Sequence, residues 1–423
     1  MPFLPEEAEG STRKKVRLAY LVSHPIQYQA PLLRRIAQEQ DIEMTVLFGS
    51  NFSVKGYQDD GFGVDVKWDV PLLDGYRHEF LPVLRDGHTV RFANPLNYGI
   101  WTRLRDGNAD TPASTMRGFD ALWVHGYITV NALHGILAAK SLGIPVLVRA
   151  ESWLRDRSRN GLKLATKSIF FTMLKGLIDG VLPVGTLNAE YWSHYLGDAV
   201  PQSLMPYAVD NDYFQRRSRQ AQSGRSTLLA ELKLEPARPV ILFASKLQRR
   251  KRCADLLEAY LRLSPAPGIA PHPYLLIVGD GEERAALERR AAESGFDSIR
   301  FCGFKNQSEL PSFFDIASIF VLPSQHEPWG LVVNEVMNAG RAVIVSDDVG
   351  CAPDLITDGV EGCVFPVGDI DALTGALRRV LASPETAAAM GQRALEKIQR
   401  WGFEEDVRGL RQALAKATGK IGA

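Results

Sequence analysis

Two carboxylates and two ammonium groups stand where strands are expected to run out into loops, and their spacing points to an anionic ligand that carries hydroxyls. Glu327 and Glu335 lie in Ser324–Gly350, SQHEPWGLVVNEVMNAGRAVIVSDDVG. An ionised carboxylate only accepts hydrogen bonds, which suits the vicinal hydroxyls of a sugar. The apolar run Ile319–Leu322 ends in Pro323-Ser324, as a buried strand meeting a loop would. Helical spacing starts at Leu331, Gly340 is placed as a C-cap, and Ala342–Val345 reads as the next parallel strand. Glu327 is therefore expected on the loop and Glu335 a little over one turn into the helix. Open α/β sheets bind ligands at the carboxyl ends of their strands. Gly330 lets a backbone approach closely, and the amides from Gly330 through Leu331 and Val332 face an anion with unpaired N–H groups. A phosphate flanked by two acceptors describes a nucleotide sugar. The plainer alternative is an ordinary α/β unit with solvated acids.

The cations come earlier, in SKLQRRKR, Ser245–Arg252, between a strand at Val240–Ala244 and a helix at Ala254–Arg262. From a strand end, Lys246 and Lys251 can converge on the same diphosphate, each charge-assisted bond contributing about 1.5–3 kcal/mol. Arg249 and Arg250 read as solvated. Gly279 follows the strand Tyr274–Val278, where it permits close approach or merely a turn; Gly303 and Phe304 follow the strand Ile299–Cys302.

With EPWGLVVNEVMNAG and the continuation SDDVGCAPDLITDGVEGCVFPVGD, the chain resembles the retaining GT-B glycosyltransferases of family 4, the glycosyl transferases group 1 of bacterial polysaccharide and glycolipid synthesis. The likeness is sharper in the second half. It implies two Rossmann-like domains facing across a cleft, with the last helix crossing back to the first domain. It also implies a UDP or GDP sugar as donor, Glu335 on the ribose, Glu327 on the donor sugar and Gly303-Phe304 reading the base through backbone edges. Sugar transfer would retain the anomeric configuration, the donor phosphate taking the acceptor proton. Lys246 stands where the family usually has Arg, keeping the charge but losing the bidentate fork. No cofactor or metal is expected, since two lysines and a helix end neutralise the diphosphate and no Asp-x-Asp falls at a strand end.

The first half must supply the facing wall. Val16–Ser23 and Ile42–Phe48 read as strands around a helix at Ala30–Glu39; Phe119–His125 and Ile144–Ala150 are strands around a helix ending near Leu142. His125, at a strand end beside Gly126, is the foremost histidine, and the resemblance sets it beside the transferring sugar. His24, Arg149 and Glu151 occupy neighbouring strand ends and are acceptor candidates; a salt bridge is the alternative for Arg149 and Glu151. Where the family often has a glycine-rich loop, this chain has Ser23-His24-Pro25. Residues 51–115 read as an insertion with little regular structure. Gly180–Val184 and Leu204–Pro206 read as the last strands of the first domain, and 215–226 as a surface loop.

Domain limits follow: a disordered tail over 1–15, an acceptor domain over 16–206, a donor domain over 207–402, and a crossing helix over 403–423. Formal net charge is zero, which argues against nucleic acid as partner. Four cysteines without C-x-x-C spacing fit reduced thiols and a cytoplasmic setting. The stretch 149–179 carries seven basic and three acidic residues among apolar ones. It reads either as a solvated face or as peripheral contact with an anionic membrane or a lipid-linked acceptor. Three rivals share the residues: a nucleotide-sugar 2-epimerase, a hydrolase, and a silent nucleotide-sugar-binding subunit.

Overall fold

A computed structural model describes residues 15–59, 61–107, 118–155, 161–263 and 272–422, without the side chains of 161–165. The first half contributes β1 (Val16–Val22), β2 (Ile42–Phe48), β3 (Tyr57–Asp59), β4 (Val64–Val66), β5 (Arg77–Phe80), β6 (Val83–Arg85), β7 (Leu96–Asn97), β8 (Ala121–His125), β9 (Val146–Arg149) and β10 (Gly180–Val181). The second half contributes β11 (Val240–Ala244), β12 (Tyr274–Val278), β13 (Ile299–Gly303), β14 (Ile319–Leu322), β15 (Ala342–Ser346) and β16 (Gly362–Phe365).

Two parallel six-stranded sheets result, ordered β10-β9-β8-β1-β2-β5 and β13-β12-β11-β14-β15-β16. Counted within each sheet, both follow the doubly wound order 3-2-1-4-5-6, whose order reverses between its first and fourth strands. Such strands are buried on both faces and read as continuous apolar runs, as VILFA in β11 and IFVL in β14 do. The expected α/β class with two Rossmann-like domains is the observed one.

Three local readings need correction. Residues 51–115, of which 60 and 108–115 lie outside the described residues, hold more regular structure than expected. They include β5, which adds a sixth parallel strand beside β2, the β3–β4 and β6–β7 hairpins and a helix at Ile100–Asp106. Their strands are two to four residues long, too short for a period-2 pattern to stand out. Leu204–Pro206 forms no strand, although the chain there runs alongside β10: Gln202 bridges Val181, and the Met205 N–H donates to the Pro183 carbonyl at 2.9 Å. The polar segment 215–226 is not a loop: it lies mostly on a helix at Asn211–Ala221, capped by Asp210 accepting from the Tyr213 N–H at 2.8 Å, and runs into a second at Arg225–Glu231.

The last helix, Phe403–Thr418, buries Val407, Leu410, Ala413 and Leu414 against the core of the first sheet. Its Asp406, fully buried, pairs with Arg149 at 3.0 Å. No helix among the described residues is long and apolar enough to cross a membrane. All four cysteines carry free thiols.

Candidate active site

Each order reversal opens a crevice, and the residues singled out from the sequence gather at the two of them. At the second, the loop after β14 holds Glu327 and the loop after β11 holds Lys246 and Lys251. The Glu327 loop is fixed by a second loop, after β15. The Glu327 N–H donates to the Asp348 carbonyl at 3.1 Å, and Gly350 N–H donates back to the Glu327 carbonyl at 2.9 Å. The Asp348 carboxylate accepts from the His326 N–H at 2.7 Å, holding His326 at φ +52°. Gly350 cannot be replaced cheaply, because a Cβ there would lie 2.0 Å from the Pro328 carbonyl oxygen.

Glu327 is buried and bonded to the Lys251 ammonium, with Arg250 3.6 Å away. Burial works to raise its pKa, but Lys251 and Arg250 hold the carboxyl below its ordinary value. Burial likewise lowers the Lys251 ammonium, with Glu327 opposing. Arg250, read as solvated, is thus one partner of the acid. Lys246 does not point freely into the crevice: its Nζ lies 2.6 Å from Asp59 of the first domain.

Glu335 behaves in the opposite way. It lines a cavity with Gly279, Phe304, Leu331 and Val332, and has no hydrogen-bond partner among the described residues. Burial alone pushes its carboxyl up to about 8. Gly303 (φ +67°) precedes Phe304, and Gly330 (φ +91°) opens the helix Leu331–Met337 in a conformation that favours glycine. Trp329 of the Glu-Pro-Trp-Gly run faces away from this cavity. It stacks on Trp401 with centroids 5.6 Å apart, and a Cβ on Gly185 of the first domain would come within 2.3 Å of its ring. That residue joins domains.

At the first reversal, a cavity of about 360 Å³ is lined by Ser23, His125, Gly126, Glu151 and, from the other domain, Pro328. Gln29 Nε2 lies 3.2 Å from both ring nitrogens of His125, and Gln29 Oε1 accepts from Tyr20 at 2.7 Å. Burial first, then the nearby Arg149 and His24, lowers His125 to about 3, so the imidazole is neutral at physiological pH. Glu151 accepts from Tyr28 at 3.2 Å and from Tyr207. Burial raises its pKa, and Glu327 across the crevice adds to the rise.

Two acceptor candidates leave this wall. Arg149 is 1 % exposed and donates to the Met205 and Pro206 carbonyls and to Asp406, so it anchors the last helix and contacts no acceptor. His24 turns to Phe52, centroids 4.5 Å apart, and to Ser23 Oγ at 2.9 Å. Burial lowers it to about 4. Gln29, Tyr28 and Tyr207 were not legible as site residues; the only signal was Gln29's place one helical turn after the Ser23-His24-Pro25 loop. Among the described residues no three His, Cys, Asp or Glu side chains converge as metal ligands.

Residues 225–397 match the family model described as glycosyl transferases group 1. A lipopolysaccharide core biosynthesis glycosyltransferase of Rhizobium meliloti is 31% identical over 42% of this chain and 50% of its own length. A D-inositol 3-phosphate glycosyltransferase of Streptomyces griseus is 28% identical over 66% of this chain and 64% of its own. The chain thus spans about half to two thirds of the length of these curated relatives. Among solved structures, Anabaena HepE in complex with UDP superposes with a TM-score of 0.70 at 16% identity, covering 95% of this chain and 99% of that one. A Rickettsia africae glycosyltransferase gives 0.69 at 16% identity, covering 95% and 98%. The second domain thus matches the glycosyl transferases group 1, and the chain as a whole has the GT-B architecture of two facing Rossmann-like domains.

Proposed function

We propose that the protein transfers a sugar from a nucleotide-diphosphate donor, UDP- or GDP-linked, to a hydroxyl of a saccharide or lipid-linked saccharide, with retention and without a metal. The observation that carries this reading is Glu335: a half-buried carboxyl in a cavity wall, unpartnered and pushed up to about 8. A desolvated acceptor without a donor is costly to keep, and the paired hydroxyls of a ribose would satisfy it.

In this reading the base lies against Phe304 and Gly279, and the diphosphate against Lys246, Lys251 and the amides from Gly330 through Val332. These groups stabilise the charge that develops as the sugar C1–O bond breaks. The acceptor oxygen bonds to C1 on the face the diphosphate leaves, and its proton passes to the departing phosphate oxygen. Glu327 is already ion-paired with Lys251, which favours a positioning role over covalent attack. The neutral His125 imidazole and the Glu151 carboxyl hydrogen-bond sugar hydroxyls. HepE has been solved with UDP, with UDP and glucose and with UDP-glucose, which supports a nucleotide-sugar donor. The relatives' lipopolysaccharide and phosphatidylinositol mannoside acceptors support a glycolipid or polysaccharide acceptor. The acceptor cavity opens beside exposed Val90 and Ile128, and Ile169 and Met173 stand exposed on the helix Gly161–Lys175. Exposed apolar side chains at the cavity mouth and on that helix favour a lipid-linked acceptor and peripheral membrane contact.

The test is a thermal-shift series with UDP, GDP, ADP and their sugar conjugates, with and without magnesium. One nucleotide should raise the melting temperature of the wild type, its sugar conjugate should raise it further, and Glu335→Gln should lose most of the gain. No response to any nucleotide in folded protein would refute the reading.

A further inference from the structure

We infer that the β3–β4 hairpin of the first domain belongs to the donor site: Phe62 and Trp68 roof the nucleoside, and Asp59 occupies Lys246 until a diphosphate displaces it. The inference rests on the donor reading above and goes beyond it, because it gives part of nucleotide recognition to the domain opposite the nucleotide.

The hairpin reaches across the cleft and is held there by several independent contacts. Asp59 Oδ1 lies 2.6 Å from Lys246 Nζ. The same ammonium sits 4.7 Å over the Phe62 ring, and Phe62 meets Phe304 edge to face with centroids 4.8 Å apart. Just past the hairpin, the Lys67 carbonyl accepts from Asn306 Nδ2 at 2.7 Å, and Asp69 accepts from Ser308. Backbones also touch: a Cβ on Gly281 would lie 3.0 Å from the Gly61 carbonyl oxygen. Phe62 and Trp68 line the cavity that holds Gly279, Phe304 and Glu335.

The dimensions make these aromatic rings more than neighbours. The cavity measures about 170 Å³, below the roughly 300–1,000 Å³ of ordinary small-molecule sites. A nucleoside beside Glu335 and Phe304 therefore has to part Phe62 from Phe304 and lie between them, exchanging a ring–ring contact for base–ring contacts. Asp59 couples this to the phosphates. Its Oδ1, besides meeting Lys246, accepts from the Gly61 and Phe62 N–H groups at 2.8 and 3.0 Å, so the carboxylate that blocks the lysine also shapes the turn carrying the aromatic roof. A diphosphate brings more negative charge to Lys246 than one carboxylate does, and so competes for it.

Isothermal titration with UDP, GDP and inorganic pyrophosphate separates the two roles. Asp59→Asn keeps an oxygen for the turn but loses the charge, and should bind the preferred nucleotide and pyrophosphate about fivefold more tightly. Phe62→Ala and Trp68→Ala should each weaken the nucleotide about tenfold and leave pyrophosphate unchanged. Melting temperature checks that each variant folds; Phe62→Leu substitutes if the alanine variant does not. Nucleotide affinity within twofold of wild type in both aromatic variants, or unchanged pyrophosphate affinity in Asp59→Asn, overturns the inference. Wild-type protein that binds none of the three probes overturns the donor reading instead.

Discussion

Both sheets run in the same order and open their crevices at the same place in that order, yet the two crevices are filled with different chemistry. In the second domain the crevice holds ions: Lys251, Arg250 and Glu327 in one cluster, with Lys246 beside it and paired across the cleft. In the first it holds no ion pair of that kind: a neutral imidazole, His125 lowered to about 3, faces a Glu151 carboxyl raised by burial and tied to two tyrosine hydroxyls. Topology chooses where a ligand goes; it does not choose the charge waiting there. An ionic crevice suits a leaving diphosphate, and a neutral one suits hydroxyls whose protons must not be taken prematurely. The buried Arg149, paired in register with His125 on β8 and β9, helps to keep the imidazole uncharged from behind.

The strongest way to break the contrast is to strip the ionic crevice. Lys251→Met leaves Glu327 buried without its main partner and, on the proposed donor reading, removes a cation from the diphosphate. Turnover should fall about 10²- to 10³-fold. The double variant Lys251→Met/Glu327→Gln should regain melting temperature but not activity, and recovery of both would refute the role given to the pair. On the neutral side, His125→Ala should cost about 10²-fold in kcat through lost sugar positioning. The wild-type rate should show no histidine inflection between pH 5 and 7, because that ring titrates near 3.

Glu335 sharpens the comparison, since it is an acid of the ionic domain that burial pushes up to about 8. Its folded carboxyl sits at about 8 against 4.5 unfolded, so the native state binds the extra proton between those values. Its contribution to stability must therefore fall as pH rises from about 4.5 to 8, and Glu335→Gln should flatten that fall. If a ribose binds there as proposed, its hydroxyls favour the ionised form, so nucleotide affinity should rise toward pH 8 in the wild type and rise less in the variant. The smallest effect is expected from Arg250→Gln, within about fivefold, because the arginine is 45% exposed and 3.6 Å from Glu327.

The ionic crevice was legible in the sequence because its parts are close together in the chain. Strand, loop and helix around Glu327 and Glu335 fall within one unit, and the lysines lie within one basic run. The neutral crevice was mostly hidden. Tyr28-Gln29 and Tyr207 reach Glu151 and His125 from two segments far apart in the chain, and nothing in local pattern distinguishes a bonded Tyr207 from a core one. Lys246 shows the same limit from the other direction: its position at a strand end was readable, but its partner Asp59 lies 187 residues away. Arg149 was placed on the right strand end and given the wrong neighbour, since only the path of the last helix supplies Asp406.

That last pairing has a consequence for how the protein is made. Arg149 and Asp406 are separated by 257 residues. At about 5–20 residues per second, a ribosome needs roughly 13–50 s to get from one to the other. During that interval the first domain carries a cation built for burial with no counter-ion, and the core face that Val407, Leu410 and Leu414 will cover stays bare. Its completion waits on the synthesis of that last helix, so the half of the protein that is synthesised first is expected to be the half that finishes folding last.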